Sequence, residues 1–216
     1  VSPDWVSTAA AHAVLKARGM LPMEPLGRYY LNTLNDAIEP YRTVLKRYSF
    51  IERAQSISLA VDDWILTGDL PAMTTDGCLV FARPSSLKPK DYLRAWIWHL
   101  AASASDVLHA EHGRTHLIGF DARNAAVQQV SFAIMHEPLK VLSELLELYR
   151  EGLRYPLPFF EKASFVYAEK REAVGGAEDD GEAESKALSA ARKAYDPSTF
   201  GPAPGDSEDA AVRLCF

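Results

Sequence analysis

The sequence predicts an α/β fold in which a mixed β-sheet is flanked by helices. Two observations indicate this class. Residues 56–61 alternate between polar and apolar side chains, which is typical of a half-buried strand, while segments on either side have helical spacing. The segments also follow one another in the order helix, three strands, helix, strand. Hydrophobic residues make up 48% of 216 residues, enough for one sizeable core with additions around it.

Two helices are predicted before the first strand. Ser2-Pro3-Asp4 provides a capping hydroxyl, an early proline and an acid at the positive helix end, so a helix is expected from there to about Arg18, ending at Gly19. A second helix is predicted over 26–48, with a bend at Pro40. Its buried face is expected to carry Tyr30, Leu31, Leu34 and Ile38.

Three strands are predicted next, over 56–61, 64–70 and 78–82. Pro71 ends the second strand because proline cannot donate to a ladder. Asp76-Gly77 supplies turn chemistry before the third.

A long helix is predicted from Lys90 to about His109, followed by strands over 114–120 and 128–134 and a helix over 137–151. The long helix is expected to bury Tyr92, Leu93, Trp96, Ile97 and Leu100.

The last third changes in character. A helix is predicted over 160–173, an acidic loop over 174–185, a short helix over 185–195 and an apolar terminal strand over 212–216. Because that strand ends on Cys215-Phe216, we expect the chain to be a fragment of a longer protein. The predicted domains are 1–25 (helix and turn), 26–172 (core with its C-terminal helices) and 173–216 (acidic loop, short helix and truncated segment).

The composition of the chain limits the classes of function that it can have. A net charge of −6 and a pI near 5.5 argue against a domain whose main task is to grip phosphates. The chain has only two cysteines, Cys78 and Cys215, without paired spacing, which fits a reducing cytoplasm, and no apolar run is long enough for a membrane helix.

Four phrases together resemble a known family. They are ARGMLP at 17–22, TDGCLVFARP at 75–84, LRAWIWHL at 93–100 and EGLRYPLPFFEK at 151–162. As a set they are similar to the C-terminal domain of the exodeoxyribonuclease V gamma subunit, the RecC family of the RecBCD helicase–nuclease. The resemblance covers about residues 15–162.

The resemblance implies a cytoplasmic role in double-strand break repair and recombination. It implies RecB-like beta and RecD-like alpha subunits as partners, DNA contacted through the complex, and ATP and Mg²⁺ held by those partners. It also implies a restriction-endonuclease-like core, whose element order agrees with the one predicted above.

An active nuclease of that fold needs an Asp on one strand and an acid–x–Lys on the next, which hold Mg²⁺ at the scissile phosphate. Here the first position falls on Pro71, and the second corresponds to Val80, Phe81 and the cation Arg83. Asp69 is out of register, so its side chain would face the other way. We therefore predict a degenerate, non-catalytic nuclease domain without a metal or cofactor of its own.

Alternative functions remain open at this stage. One is an active Mg²⁺-dependent exonuclease domain, and another is a protein-interaction domain unrelated to DNA repair. A zinc site built from His109, Glu111, His112 and His116 is less favoured than a solvated turn.

Contacts are predicted along the start of the long helix. The densest basic stretch consists of Arg83, Lys88, Lys90 and Arg94. These cations either contact DNA or a partner, or they form a solvated helix start. Trp96 and Trp98 lie about 200° apart on a helix, so one of them is expected to face a partner. Residues 156–160 form an apolar elbow that we expect to pack on the domain's own core.

Overall fold

The computed structural model describes residues 8–108, 113–174, 180–196 and 205–215, and these form two compact units, Val1–Glu144 and Leu145–Phe216. The first unit contains helices α1 (Thr8–Ala17), α2 (Leu26–Leu45) and α3 (Pro89–Ala104). Its strands are β1 (Ser56–Val61), β2 (Trp64–Asp69), β3 (Leu79–Ala82), β4 (Thr115–Asp121) and β5 (Ala126–Phe132). The remaining helices are α4 (Pro138–Gly152), α5 (Glu161–Val174), α6 (Asp180–Tyr195), a 3₁₀ turn (Asp206–Glu208) and α7 (Ala210–Cys215).

The predicted mixed sheet is confirmed. Strand β4 is central, pairs in parallel with β3 and antiparallel with β5, and so forms a three-stranded sheet. Alternate residues of β4 face opposite helices: Phe120 lies against Tyr41 of α2, with ring centroids 6.0 Å apart, whereas Thr115 hydrogen-bonds His99 of α3. The sheet therefore lies between α2 and α3.

The prediction of one mixed sheet was wrong for the first two strands. Strands β1 and β2 form a separate antiparallel hairpin, closed by the two-residue turn at Asp62 and Asp63. Strand β2 stops at Asp69, and beyond it Pro71 has no N–H to continue a ladder. Between β2 and β3 the described residues form the isolated bridges Phe50–Thr74 and Met73–Leu79.

The buried faces of α2 and α3 agree with the prediction only in part. On α2, Leu31 is buried and Ile38 packs on a core cluster as predicted, but Tyr30 and Leu34 are more than half exposed, and further core contacts come from Tyr41 and Leu45. On α3, Leu100 is buried as predicted, but Ile97 is 40% exposed, and the buried residues include Ala95, His99 and Ala102. The helical pattern predicted large apolar side chains on the buried face of α3, whereas several residues of that face are alanines with small side chains.

Turn and cap residues explain the other boundaries. Gly19 and Gly77 have positive φ, +66° and +83°, which confirms the helix end and the turn that were assigned to them. The predicted start of α1 at Ser2–Asp4 and residues 175–179 of the predicted acidic loop lie outside the described residues. The loop prediction was wrong for residues 180–185, which belong to α6.

The predicted terminal strand is wrong, because α7 occupies that segment. The Asp209 carboxylate accepts the Ala211 N–H at 2.8 Å, so an N-terminal cap overrides the apolar alternation. In the described part of the chain, no helix combines the length and the apolar character needed to cross a membrane.

Candidate functional site

The segment after β2 lies beside β3, where the two halves of the nuclease-like motif were mapped. Met73 bridges Leu79, and the Val80 N–H donates to the Ala72 carbonyl at 2.9 Å. The segment that directly follows Pro71 therefore lies beside β3, the strand that carries Val80 and Phe81.

The side chains at these positions are apolar. Val80 is 3% exposed and packs with Ile118 and Phe120 on the side of the sheet that faces α2. Phe81 is half-buried and, one residue along β3, points to the other side. Pro71 is also half-buried. None of the three side chains has an atom that binds Mg²⁺.

The carboxylate closest to Pro71 in the sequence, that of Asp69, is hydrogen-bonded within the β1–β2 hairpin. Asp69 is exposed at the end of β2 and accepts a hydrogen bond from Ser56 Oγ of β1 at 2.6 Å. Across residues 8–108, 113–174, 180–196 and 205–215, no three or more His, Cys, Asp and Glu side chains are grouped so that they could hold a metal ion.

Arg83 organises the connection between β3 and α3. Its Nη1 lies 2.8 Å from both carboxylate oxygens of Asp91, and its Nε donates to Ser85 Oγ. Asp91 also accepts the Lys88 N–H at 2.9 Å and lies in the first turn of α3, where the helix dipole favours an anion. The guanidinium is therefore committed to an internal ion pair.

We expect Arg83→Ala to lower the free energy of unfolding by about 2 kcal/mol, because it leaves the partly buried Asp91 without its cation. Urea unfolding monitored by tryptophan fluorescence measures this. Exposed Arg53, for which no ion pair is present in the described residues, is the matched control, and Arg53→Ala should change stability by less than about 0.5 kcal/mol. Equal effects of the two variants would contradict the structural role of Arg83.

The other three predicted cations remain on the surface. Lys88 precedes α3, and Lys90 and Arg94 project from its first two turns, all exposed. Within the described residues, neither Lys90 nor Arg94 pairs with a carboxylate. They are accordingly available for an external partner, as Arg83 is not.

The two tryptophans of α3 have different surroundings. Trp98 packs against the core cluster formed by residues such as Leu70 and Leu79, and a Cβ added at Gly68 would lie 2.9 Å from its ring. Trp96 is half-buried, and neither core cluster of the described residues includes it. Trp96 is thus the better candidate for the partner-facing residue.

Sequence reasoning missed His99. It is 1% exposed, with Nδ1 2.9 Å from Thr115 Oγ1 and Nε2 2.9 Å from the Ala133 carbonyl. Since a carbonyl only accepts, Nε2 carries the proton and Nδ1 accepts from the threonine. Burial lowers the pKa of His99, so the neutral ring links α3 to the central strand β4 and to the residue that follows β5. Only its position on the 95–99–102 stripe could have indicated this.

The zinc alternative is only partly covered by the structure. His109, Glu111 and His112 lie outside the described residues. His116 on β4 contacts Ser131 Oγ of β5 through Nδ1 at 2.8 Å, and its ring lies 5.4 Å from that of Tyr48. Burial, and secondly the charge of Arg114, lowers the pKa of His116.

The apolar elbow belongs to the second unit. Phe160 packs on Tyr195 of α6, with centroids 4.7 Å apart, as expected of a segment that positions its own helices. Phe159, however, is 63% exposed. The N-terminus of α5 is then capped by buried Asp206, whose carboxylate accepts the Lys162 and Ala163 N–H groups.

These features define an α/β domain with a small mixed sheet held between helices. A family model described as the RecC C-terminal domain matches residues 5–172, well over half of the chain, and the chain therefore belongs to that family. The resemblance of the four phrases is confirmed, and it assigns the chain to an exodeoxyribonuclease V (RecBCD) complex that contains other subunits and acts in DNA repair. No curated protein matches the chain.

Proposed function

We propose that this chain is the non-catalytic, nuclease-like C-terminal domain of a RecC-type gamma subunit, and that it acts by docking on other subunits. The observation that carries the proposal is the apolar character of Pro71, Val80 and Phe81, where the segment after Pro71 is bridged to β3 at Met73 and Leu79. A restriction-endonuclease-like core would place its metal-binding carboxylates at this point.

The chemistry of the replaced residues supports the loss of activity. Two-metal hydrolysis needs carboxylates that hold Mg²⁺ against the attacking water and the leaving oxygen. Proline, valine and phenylalanine offer no ligand. The remaining cation, Arg83, is paired with Asp91, which offsets its positive charge.

The element order supports a nuclease-like ancestry. Helix α2, the strands β1 to β3, helix α3 and strand β4 follow in the order of the restriction-endonuclease-like core. The parallel pairing of β3 with β4 across α3 is the crossover that such a core requires. The separate β1–β2 hairpin differs from the single sheet of such a core, and this difference is compatible with a sheet that does not bind a metal.

The remaining expectations follow from family membership and belong to the proposal. RecB-like beta and RecD-like alpha subunits are the docking partners, and ATP and Mg²⁺ act in them. DNA is contacted at the fork through the cytoplasmic assembly. The net charge of −6 supports docking, rather than independent DNA binding, as the main task of this segment.

The proposal predicts that the isolated chain does not cut DNA. Linear duplex and single-stranded DNA are incubated with the purified chain and Mg²⁺ or Mn²⁺, and products are resolved on denaturing gels. We expect no metal-dependent products. The control variant is Asp69→Asn, which removes the carboxylate closest to Pro71 in the sequence.

Degradation that survives repurification and disappears in Asp69→Asn would overturn the proposal in favour of the exonuclease alternative. Degradation that is unchanged in Asp69→Asn and lost on repurification marks a contaminant and leaves the expected inactivity standing. The alternative of an interaction domain unrelated to DNA repair is disfavoured by the family match.

A further inference from the structure

A shallow depression runs along the outer surface of α3. Its lining consists of Lys90, Leu93, Arg94, Ile97 and Trp98, and its volume is about 280 Å³. These residues recur at the spacing of one helical face, so they form a continuous stripe over more than two turns. We call this stripe the α3 groove.

The charge of the α3 groove is not balanced within the described part of the chain. Lys90 and Arg94 are exposed, one turn apart, and neither pairs there with a carboxylate. Both lie in the N-terminal half of α3, where the helix dipole already disfavours cations. Asp91, the one acid of the first turn, is taken by Arg83. An anionic occupant would relieve this repulsion.

The floor of the α3 groove is apolar. Ile97 is 40% exposed on a helix that otherwise buries its alanines, and Leu93 is half-buried beside it. Trp98 closes the groove, but its ring packs towards Gly68 and the core. The groove therefore offers aliphatic surface beside two cations, and the tryptophan ring is occupied by packing on the core.

This combination favours a peptide over a nucleic acid. Sites for single-stranded DNA stack bases on open aromatic faces along a basic groove. Here the aliphatic floor suits leucine-like side chains, and the two cations suit acidic ones one turn away. The volume is slightly below the range of about 300–1,000 Å³ typical of ligand sites, so it fits a few side chains.

We infer that the α3 groove docks a short, acidic, amphipathic peptide segment of a partner subunit. The inference rests on the proposed function, because it names the docking surface of that assembly. The apolar side chains of the segment lie on Leu93 and Ile97, and its carboxylates pair with Lys90 and Arg94.

Charge reversal in the intact assembly tests the inference. The full chain is co-expressed with the beta and alpha subunits of its own complex, and their retention is measured at increasing salt. The variant is Lys90→Glu/Arg94→Glu. The matched control, Arg53→Glu/Lys140→Glu, reverses two exposed cations elsewhere in the first unit and changes the net charge equally.

We expect the groove variant to weaken retention about tenfold at low salt and the control to leave it unchanged. For the apolar floor, Ile97→Ser should weaken retention, whereas Ile65→Ser, at a 72% exposed position on β2, should not. Circular dichroism of each variant shows whether it has folded, and a photo-reactive benzoylphenylalanine in place of Ile97 identifies what lies in the groove.

A cross-link to an acidic and apolar peptide of a partner subunit supports the inference. Retention equal in the groove variants and controls, or a cross-link to forked DNA added to the complex, overturns the inference and leaves the proposed function standing. Failure of the unaltered chain to retain either subunit would instead overturn the proposed function.

Discussion

His99→Ala is expected to lower the free energy of unfolding by about 3 kcal/mol. The change empties a site that is 1% exposed between α3 and the sheet, and leaves Thr115 and the Ala133 carbonyl without their ring partner. Urea unfolding measures the loss. Thr115→Val, which removes one hydrogen bond but keeps the shape, should cost about 1 kcal/mol.

Exposed His136 provides the matched control, since His136→Ala should leave the unfolding midpoint within error. A His99→Ala variant as stable as that control would contradict the tight packing of α3 on β4 and β5. A Thr115→Val variant as unstable as His99→Ala would assign the effect to the hydrogen bond rather than to the filled volume.

The same residue gives the stability a pH dependence. Burial lowers the pKa of His99 below its ordinary 6.5, so the unfolded chain binds the proton more readily than the folded one. The stabilisation is complete above pH 6.5 and is lost as the pH falls towards the lower folded value. His116, whose pKa is also lowered by burial, adds to this trend. His99→Ala should flatten the profile below pH 6.5 without abolishing it.

Local signals gave most of the elements. The β1–β2 hairpin, the turn at Gly77, the end of α1 at Gly19 and the helices α3 to α5 followed from alternation, glycine and helical spacing. These signals act within a few residues, so a single sequence carries them. The prediction of a C-terminal strand was wrong because it rested on an alternation of only five residues, which the helix cap at Asp209 outweighs.

The packing of these elements against one another could not be predicted from the sequence in the same way. Whether β2 joins β3 depends on how the chain passes Pro71, and sequence spacing does not specify this path. The buried face of α3 is set by the distance to the sheet, which admits Ala95 and His99 and turns Ile97 outwards. At the candidate site, the residue types alone indicated that the metal-binding carboxylates are missing. The structure was needed to distinguish Arg83, which is paired with Asp91, from the exposed cations Lys90 and Arg94.

The two tryptophans of α3 should separate stability from assembly. Trp98→Ala removes a ring that packs on the core cluster and on Gly68, so we expect a loss of about 3 kcal/mol in the free energy of unfolding. Trp96→Ala, outside both core clusters of the described residues, should cost about 1 kcal/mol. If Trp96 anchors a partner, its truncation should weaken subunit retention by about 2 kcal/mol or more.

Thermal unfolding and co-purification with the beta and alpha subunits are measured for both variants, and Trp96→Phe serves as a conservative control that keeps an aromatic surface. Because the two side chains lie about 200° apart around the helix, a retention defect in Trp96→Ala with normal stability extends the docking surface beyond the α3 groove. Normal retention of the subunits by Trp96→Ala would limit the partner contact to the side of α3 that carries the α3 groove. A Trp96→Ala variant that unfolds like Trp98→Ala would place both rings in the core and exclude Trp96 as an interface anchor.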